Sequence, residues 1–154
     1  MDPRETALSA IEAYKRLSPL VATAGQPAAD QFVLVRDAGF VLVINLATDK
    51  SSGHLPDEPD IVRRLGMEHI HLPVAWDNPK REDFEAFCRI MEQNSGRAVF
   101  VHCAKNWRVS VFMYLYRVLR QQADPESRLW DIREIWEPDP VWSAFMRAMA
   151  EVGK

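Results

Sequence analysis

The chain has 154 residues, with 19 Lys and Arg against 22 Asp and Glu, a formal net charge of −3. Hydrophobic residues make up 47% and charged residues 27%, the composition of one globular domain, which rules out disorder as the main state and leaves too little chain for two good cores. The slight acidity argues against bulk electrostatic attachment to nucleic acid or to an anionic membrane.

Residues 4–17 read as a first helix, since Ala7, Ile11, Tyr14 and Leu17 recur at helical spacing. Residues 20–23 read as a short edge strand, closed by Gly25-Gln26-Pro27, and Pro27 suits the first turn of a helix over 27–38 that Gly39 ends. Residues 40–46 form a near-continuous apolar run, a strand buried on both faces. A long loop over 47–59, with Ser51-Ser52-Gly53, Pro56 and Pro59, leads to a helix over 60–66 and a strand over 67–74. A loop over 75–79, a helix over 82–93, a strand over 98–102 and an apolar helix over 108–121 follow. Two more helices, over 125–135 and 139–151, complete the chain. Alternating strands and helices predict an α/β fold: one three-layer domain over 1–154, with a mostly parallel sheet of four to five strands flanked by helices. Ligands in such sheets bind outside the carboxyl ends of the strands, here at loops 47–59, 75–79 and 103–108. Cys88 and Cys103 are too few for a disulfide framework and read as reduced thiols. The N-terminal segment has no apolar signal-peptide core, and the longest apolar runs have strand length. A cytoplasmic location is therefore expected.

The segment from Val99 to Ser110 carries the chemistry. A buried strand ends at His102-Cys103, a short loop Ala104-Lys105-Asn106-Trp107 follows, and a buried helix opens with Arg108 and Val109. A thiol at a helix N-terminus faces unpaired backbone N–H groups, which favour a thiolate and can hold a phosphate or sulfate. Such a thiolate is a nucleophile. Arg108 adds a planar, bidentate donor for equatorial oxygens. Asn106 stands mid-loop, where a tight turn needs a residue that tolerates positive φ. The plainer alternative is a structural cysteine buried at a strand end.

This segment resembles the signature loop of cysteine-based protein tyrosine and dual-specificity phosphatases, which begins His-Cys and ends Arg-Ser or Arg-Thr. The chain is more closely similar to a bacterial phosphatase-like family related to domains fused to β-lactamase-like hydrolases. Gly25-Gln26-Pro27, the strand over 41–46, Pro73-Val74 leading to Trp76-Asp77, and His102 through Ser110 carry that likeness, over residues 20–122. It implies a cysteine-phosphatase-like fold and a phosphomonoester hydrolase working through a phosphocysteine, with no cofactor and no metal. The phosphatase signature places five residues between Cys and Arg, and here four separate Cys103 from Arg108, with Val109 at the usual Arg position. Either the loop is one residue shorter, or Arg108 leaves it at a different angle.

The resemblance implies Cys103 as nucleophile, the amides of Ala104 to Val109 with Arg108 as the phosphate cradle, and Asp77 as the acid that protonates the leaving oxygen. Asp-Asn-Pro is equally strong turn chemistry. Asp57, Glu58 and Asp60 are substitute acids, read as solvated loop charge. His102 is expected to bond the loop backbone and orient Cys103. Ser110 either steadies the departing thiolate or caps the first helical turn. Lys105 and Trp107 face outward, as a basic aromatic rim or simply exposed. Cys88 reads as core, with a resolving thiol as its alternative. His54, His69 and His71 lack a second ligand at zinc spacing. The partners implied are a phosphorylated protein or small phosphoester, with phosphate or sulfate in the loop. A rhodanese-like sulfurtransferase carrying a Cys103 persulfide is the first competing function, since rhodanese loops also place four residues between Cys and Arg. A non-catalytic phosphate- or phosphopeptide-binding module is the second.

Overall fold

The computed structural model describes residues 2–152. Five strands, β1 (Lys15–Ser18), β2 (Val21–Ala24), β3 (Leu42–Asn45), β4 (Glu68–His71) and β5 (Val99–His102), form one sheet in the order β1-β2-β5-β3-β4. β1 runs antiparallel to β2, and the other pairs are parallel. The α/β class and mostly parallel sheet are therefore as the sequence predicts.

The central strands are buried because alternate side chains feed the two halves of the domain's core, one on each face of the sheet. Leu42, Ile44, Val99 and Val101 face one core, roofed by α4 (Arg81–Gln93), α5 (Trp107–Arg120), α6 (Pro125–Arg133) and α7 (Pro140–Val152). Val43, Phe100, Ala22 and Ala24 face the other, covered by α1 (Pro3–Leu8), α2 (Phe32–Asp37) and α3 (Glu58–Arg64). Cys88 lies fully buried in the first core, and burial pushes its thiol up to about 12.

Several predicted boundaries change. The helix expected over 4–17 ends at Leu8, and its last residues are β1. Ala13 takes φ 54° between them. The apolar spacing misleads because it serves two faces: Ile11 and Tyr14 pack in the second core, whereas Leu17 packs against the first. β1 thus takes the edge, and the strand near 20–23 lies inside the sheet. The helix expected over 27–38 is a 3-10 turn, Ala29–Gln31, followed by α2. α3 starts at Glu58, two residues earlier than expected, which shortens the preceding loop. β4 closes at His71, although Leu72 and Val74 still donate backbone hydrogen bonds to Asn45 and Leu46.

Parallel pairing sends the carboxyl ends of β2, β5, β3 and β4 to one side of the sheet. The loops after them meet there. Among the described residues no helix is long and apolar enough to cross a membrane.

Candidate active site

At this edge lies an open cavity of about 700 Å³. It is lined by the nearly buried Cys103 with Ala104, Lys105, Trp107 and Arg108, by residues 48–52 after β3, and by Ala75, Trp76 and Asp77 after β4. The three loops singled out in the sequence therefore meet in one place.

The loop after β5 is shaped by close backbone contacts. Gly25 bridges Lys105, and the Gln26 N–H donates to the Ala104 carbonyl at 2.9 Å. A Cβ on Gly25 would stand 2.6 Å from that carbonyl oxygen, so the approach requires glycine. Asn106 turns the chain with φ 65°, as its position predicts, and its Nδ2 donates to the Ala13 carbonyl and to Thr23 Oγ1. The helix ladder of α5 begins when the Ser110 N–H donates to the Asn106 carbonyl at 2.9 Å. Among the described residues, nothing accepts from the N–H groups of Ala104, Lys105, Trp107, Arg108 and Val109. Unpaired donors at a helix N-terminus make a site for an anion.

Arg108 is nearly buried and reaches the cavity across its floor. Its Nη1 donates to the Val74 carbonyl at 2.9 Å, and its Nη2 donates to Ser51 Oγ at 3.1 Å. The Trp76 ring lies 6.0 Å from its Cζ. These contacts leave further guanidinium N–H groups for a ligand. Val109 is fully buried, so its side chain belongs to the core and not to the cavity.

Asp77 is exposed on the cavity wall, and its carboxylate has no hydrogen bond or ion pair among the described residues. Its loop is pinned by Trp142 Nε1, which donates to the Trp76 carbonyl at 2.8 Å. Trp107 is not a free rim residue. It stacks on Trp136 at 5.0 Å and meets Trp76 at 5.5 Å, forming an aromatic wall. Lys105 is exposed and pairs with Glu12 at 3.6 Å. The Ser110 hydroxyl donates to the Trp107 carbonyl at 2.6 Å and accepts from Trp136 Nε1 at 2.9 Å. Its proton is thus spent on the first turn of α5, the capping arrangement, and not on the thiol.

His102 is fully buried, and its Nδ1 lies 3.2 Å from the Cys103 carbonyl oxygen. Its Nε2 lies 2.8 Å from Glu58 Oε2. Glu58, expected as solvated loop charge, is in fact 1% exposed. It also faces His69 Nε2 at 2.7 Å and accepts from Gln26 Nε2 at 2.8 Å. Burial alone would push this carboxyl up, but the hydrogen bonds from His102, His69 and Gln26 outweigh burial and hold it well below the usual carboxylate range. The two imidazoles converge on a carboxylate oxygen, and among the described residues no set of His, Cys, Asp and Glu is arranged around a metal.

The family described as a DSP-PTPase phosphatase fused to NAD+ kinase matches residues 10–137. The chain belongs to this family. A DUF442 protein from Shewanella putrefaciens CN-32, solved as a candidate phosphatase, is 35% identical, with a TM-score of 0.85 over 96% of this chain and 97% of that one. TpbA of P. aeruginosa, solved with pTyr, shares the fold at 18% identity and a TM-score of 0.73, over 92% of this chain and 88% of its own. Beta-lactamase hydrolase-like proteins of two Xylella fastidiosa strains are 29% identical over 102 residues, 64% of this chain. The chain spans 23% of the length of those curated relatives. The likeness to the cysteine-phosphatase superfamily read from His102 to Ser110 is thus a family relationship.

Within this phosphatase framework, sequence reasoning missed Asp49, Lys50 and Ser51 on the cavity wall, and it misplaced Glu58, read as a solvated substitute acid, which is buried beneath the cysteine loop. The first three carried a signal, a cluster of charges and hydroxyls just beyond the carboxyl end of a buried strand. Glu58 carried none, because its partners stand far along the chain at Gln26, His69 and His102.

Proposed function

We propose that this phosphatase domain is a cysteine-dependent phosphomonoester hydrolase. The Cys103 thiolate attacks phosphorus and the ester P–O bond breaks. The electron pair leaves on the ester oxygen, which takes a proton from Asp77. Water then attacks the phosphocysteine while Asp77 recovers a proton, the S–P bond breaks, and phosphate and thiolate are released. The loop amides of residues 104–109 and Arg108 carry the charge on the equatorial oxygens. Asp49 and Lys50 flank the entrance as contacts for the rest of the substrate.

One observation carries this reading: Cys103, Arg108 and Asp77 line the same cavity, with the loop amides left unpaired. The partner class is a phosphoester, supported by the pTyr complex of TpbA, which shares the fold. Four residues between Cys103 and Arg108 also favour a second reading, a sulfurtransferase with a Cys103 persulfide.

Turnover of p-nitrophenyl phosphate tests the first reading against the second. Cys103→Ser is expected to abolish ester hydrolysis, and the wild type to produce little thiocyanate from thiosulfate and cyanide. Unchanged hydrolysis by Cys103→Ser refutes the proposal. Fast thiocyanate formation without ester hydrolysis favours the persulfide carrier.

A further inference from the structure

The buried group beneath the cysteine loop has proton bookkeeping of its own. Both ring nitrogens of His102 face acceptors: Nε2 meets Glu58 Oε2 at 2.8 Å and Nδ1 meets the Cys103 carbonyl oxygen at 3.2 Å. A carbonyl cannot donate, and a neutral imidazole has one N–H, so a neutral ring satisfies both contacts only if Glu58 is protonated. Glu58 is poorly placed to be the donor. Its Oε2 also faces His69 Nε2 at 2.7 Å, and a carboxyl on which three nitrogens converge is held in its ionised form. Its Oε1 accepts from Gln26 Nε2. An ionised carboxylate with His102 as an imidazolium satisfies every contact at once.

Among the described residues, the His102 ring contacts no charged side chain but Glu58. From α2 the Phe32 ring stands 6.0 Å from His102, and within β5 the Phe100 ring stands 6.4 Å away. From β4 comes His69, and from the turn after β2 comes Gln26, which is uncharged. Among the described residues, Glu58 is the one carboxylate within ion-pair distance of His102.

We propose that Glu58 is a positioning residue for the nucleophile: it keeps His102 as an imidazolium, which clamps the Cys103 carbonyl and puts a positive charge on the residue that precedes the thiolate. The proposal rests on the reading of Cys103 as the attacking group. A cationic neighbour stabilises a thiolate relative to a thiol.

The test is the pH dependence of Cys103 alkylation by iodoacetamide, followed by peptide mass spectrometry, which does not require phosphatase turnover. Cys88 stays silent in the neutral range, being buried and pushed up to about 12. Glu58→Gln is expected to raise the pH midpoint at Cys103 by about one unit, so that alkylation at neutral pH slows by about tenfold. His69→Gln leaves the Glu58–His102 pair in place and should not raise it. An unmoved midpoint in Glu58→Gln, or an equal rise in both variants, overturns the proposal, since a merely structural network predicts no such difference. If Glu58→Gln does not fold, nitrogen NMR of the wild type decides. Two protonated ring nitrogens on His102 at neutral pH support the proposal, and one overturns it. Retained hydrolysis by Cys103→Ser would defeat the phosphatase reading while leaving the alkylation result intact.

Discussion

The underside of the cysteine loop and the wall of the cavity above it are built on opposite terms. Beneath the sulfur, His102, Asn106, Thr23 and Glu58 are buried and tied to one another or to backbone. On the wall, Asp77, Asp49 and Lys50 stay in water and line the cavity, with no network shared among the described residues. A polar group that has lost its water must be paired, so the floor is fixed by mutually dependent bonds. A charge that keeps its water is free to meet a ligand. Substitutions of these exposed wall charges should therefore alter turnover and leave stability alone, whereas substitutions of buried, hydrogen-bonded groups should alter both.

The wall gives the largest expected effect on chemistry. Asp77→Asn should slow hydrolysis of an alkyl phosphate by about 10²–10⁴, with a smaller loss for p-nitrophenyl phosphate, whose leaving group needs little help. Its melting temperature should match the wild type, and a large drop would place Asp77 in the framework instead. Arg108→Lys comes next. Losing the planar fork should cost about 10²–10³ in kcat, read from steady-state kinetics, because an ammonium cannot serve the Val74 carbonyl, Ser51 and a phosphate together.

In the floor, Gly25→Ala forces a Cβ to 2.6 Å from the Ala104 carbonyl, so the backbone must move. We expect about 1–3 kcal/mol of destabilisation in urea unfolding and roughly a 100-fold loss of kcat, since an error of about 1 Å displaces the cradle. A variant with normal turnover would show that the loop tolerates displacement. Glu58 gives the floor a pH signature. Its folded carboxyl lies below its unfolded value, so its stabilisation is present above the unfolded carboxylate range and is lost as pH falls toward the folded value. Wild type should lose stability below about pH 4.3, and Glu58→Gln should lose less over that window when unfolding is measured across pH. The smallest effect is Ser51→Ala, which removes one hydrogen bond to Arg108 and should cost about 1 kcal/mol or less in stability.

The same contrast explains what the sequence revealed. The wall lies in loops, and Asp77 was legible from its place after a strand. The double-faced strand over 40–46 and the positive φ of Asn106 were legible too, because each follows from local chemistry. The edge strand Lys15–Ser18 was not, since Ile11, Tyr14 and Leu17 mimic a helical stripe while packing on opposite sides of the sheet. Glu58 was hidden for a different reason. Nothing within its neighbourhood in the chain distinguishes a carboxylate that will be buried between two histidines from one that stays in water. Ser110 shows the limit of spacing: its hydroxyl holds the helix turn to Trp136, so its position after Cys103 does not make it a partner of the sulfur.

The most direct test of the account is an acid-quenched reaction with a phosphomonoester, digested and read by mass spectrometry. A phosphoryl group on the peptide that carries Cys103, absent in Cys103→Ser, is the predicted result. Sustained ester turnover with the phosphoryl group elsewhere, or on no residue, would contradict it.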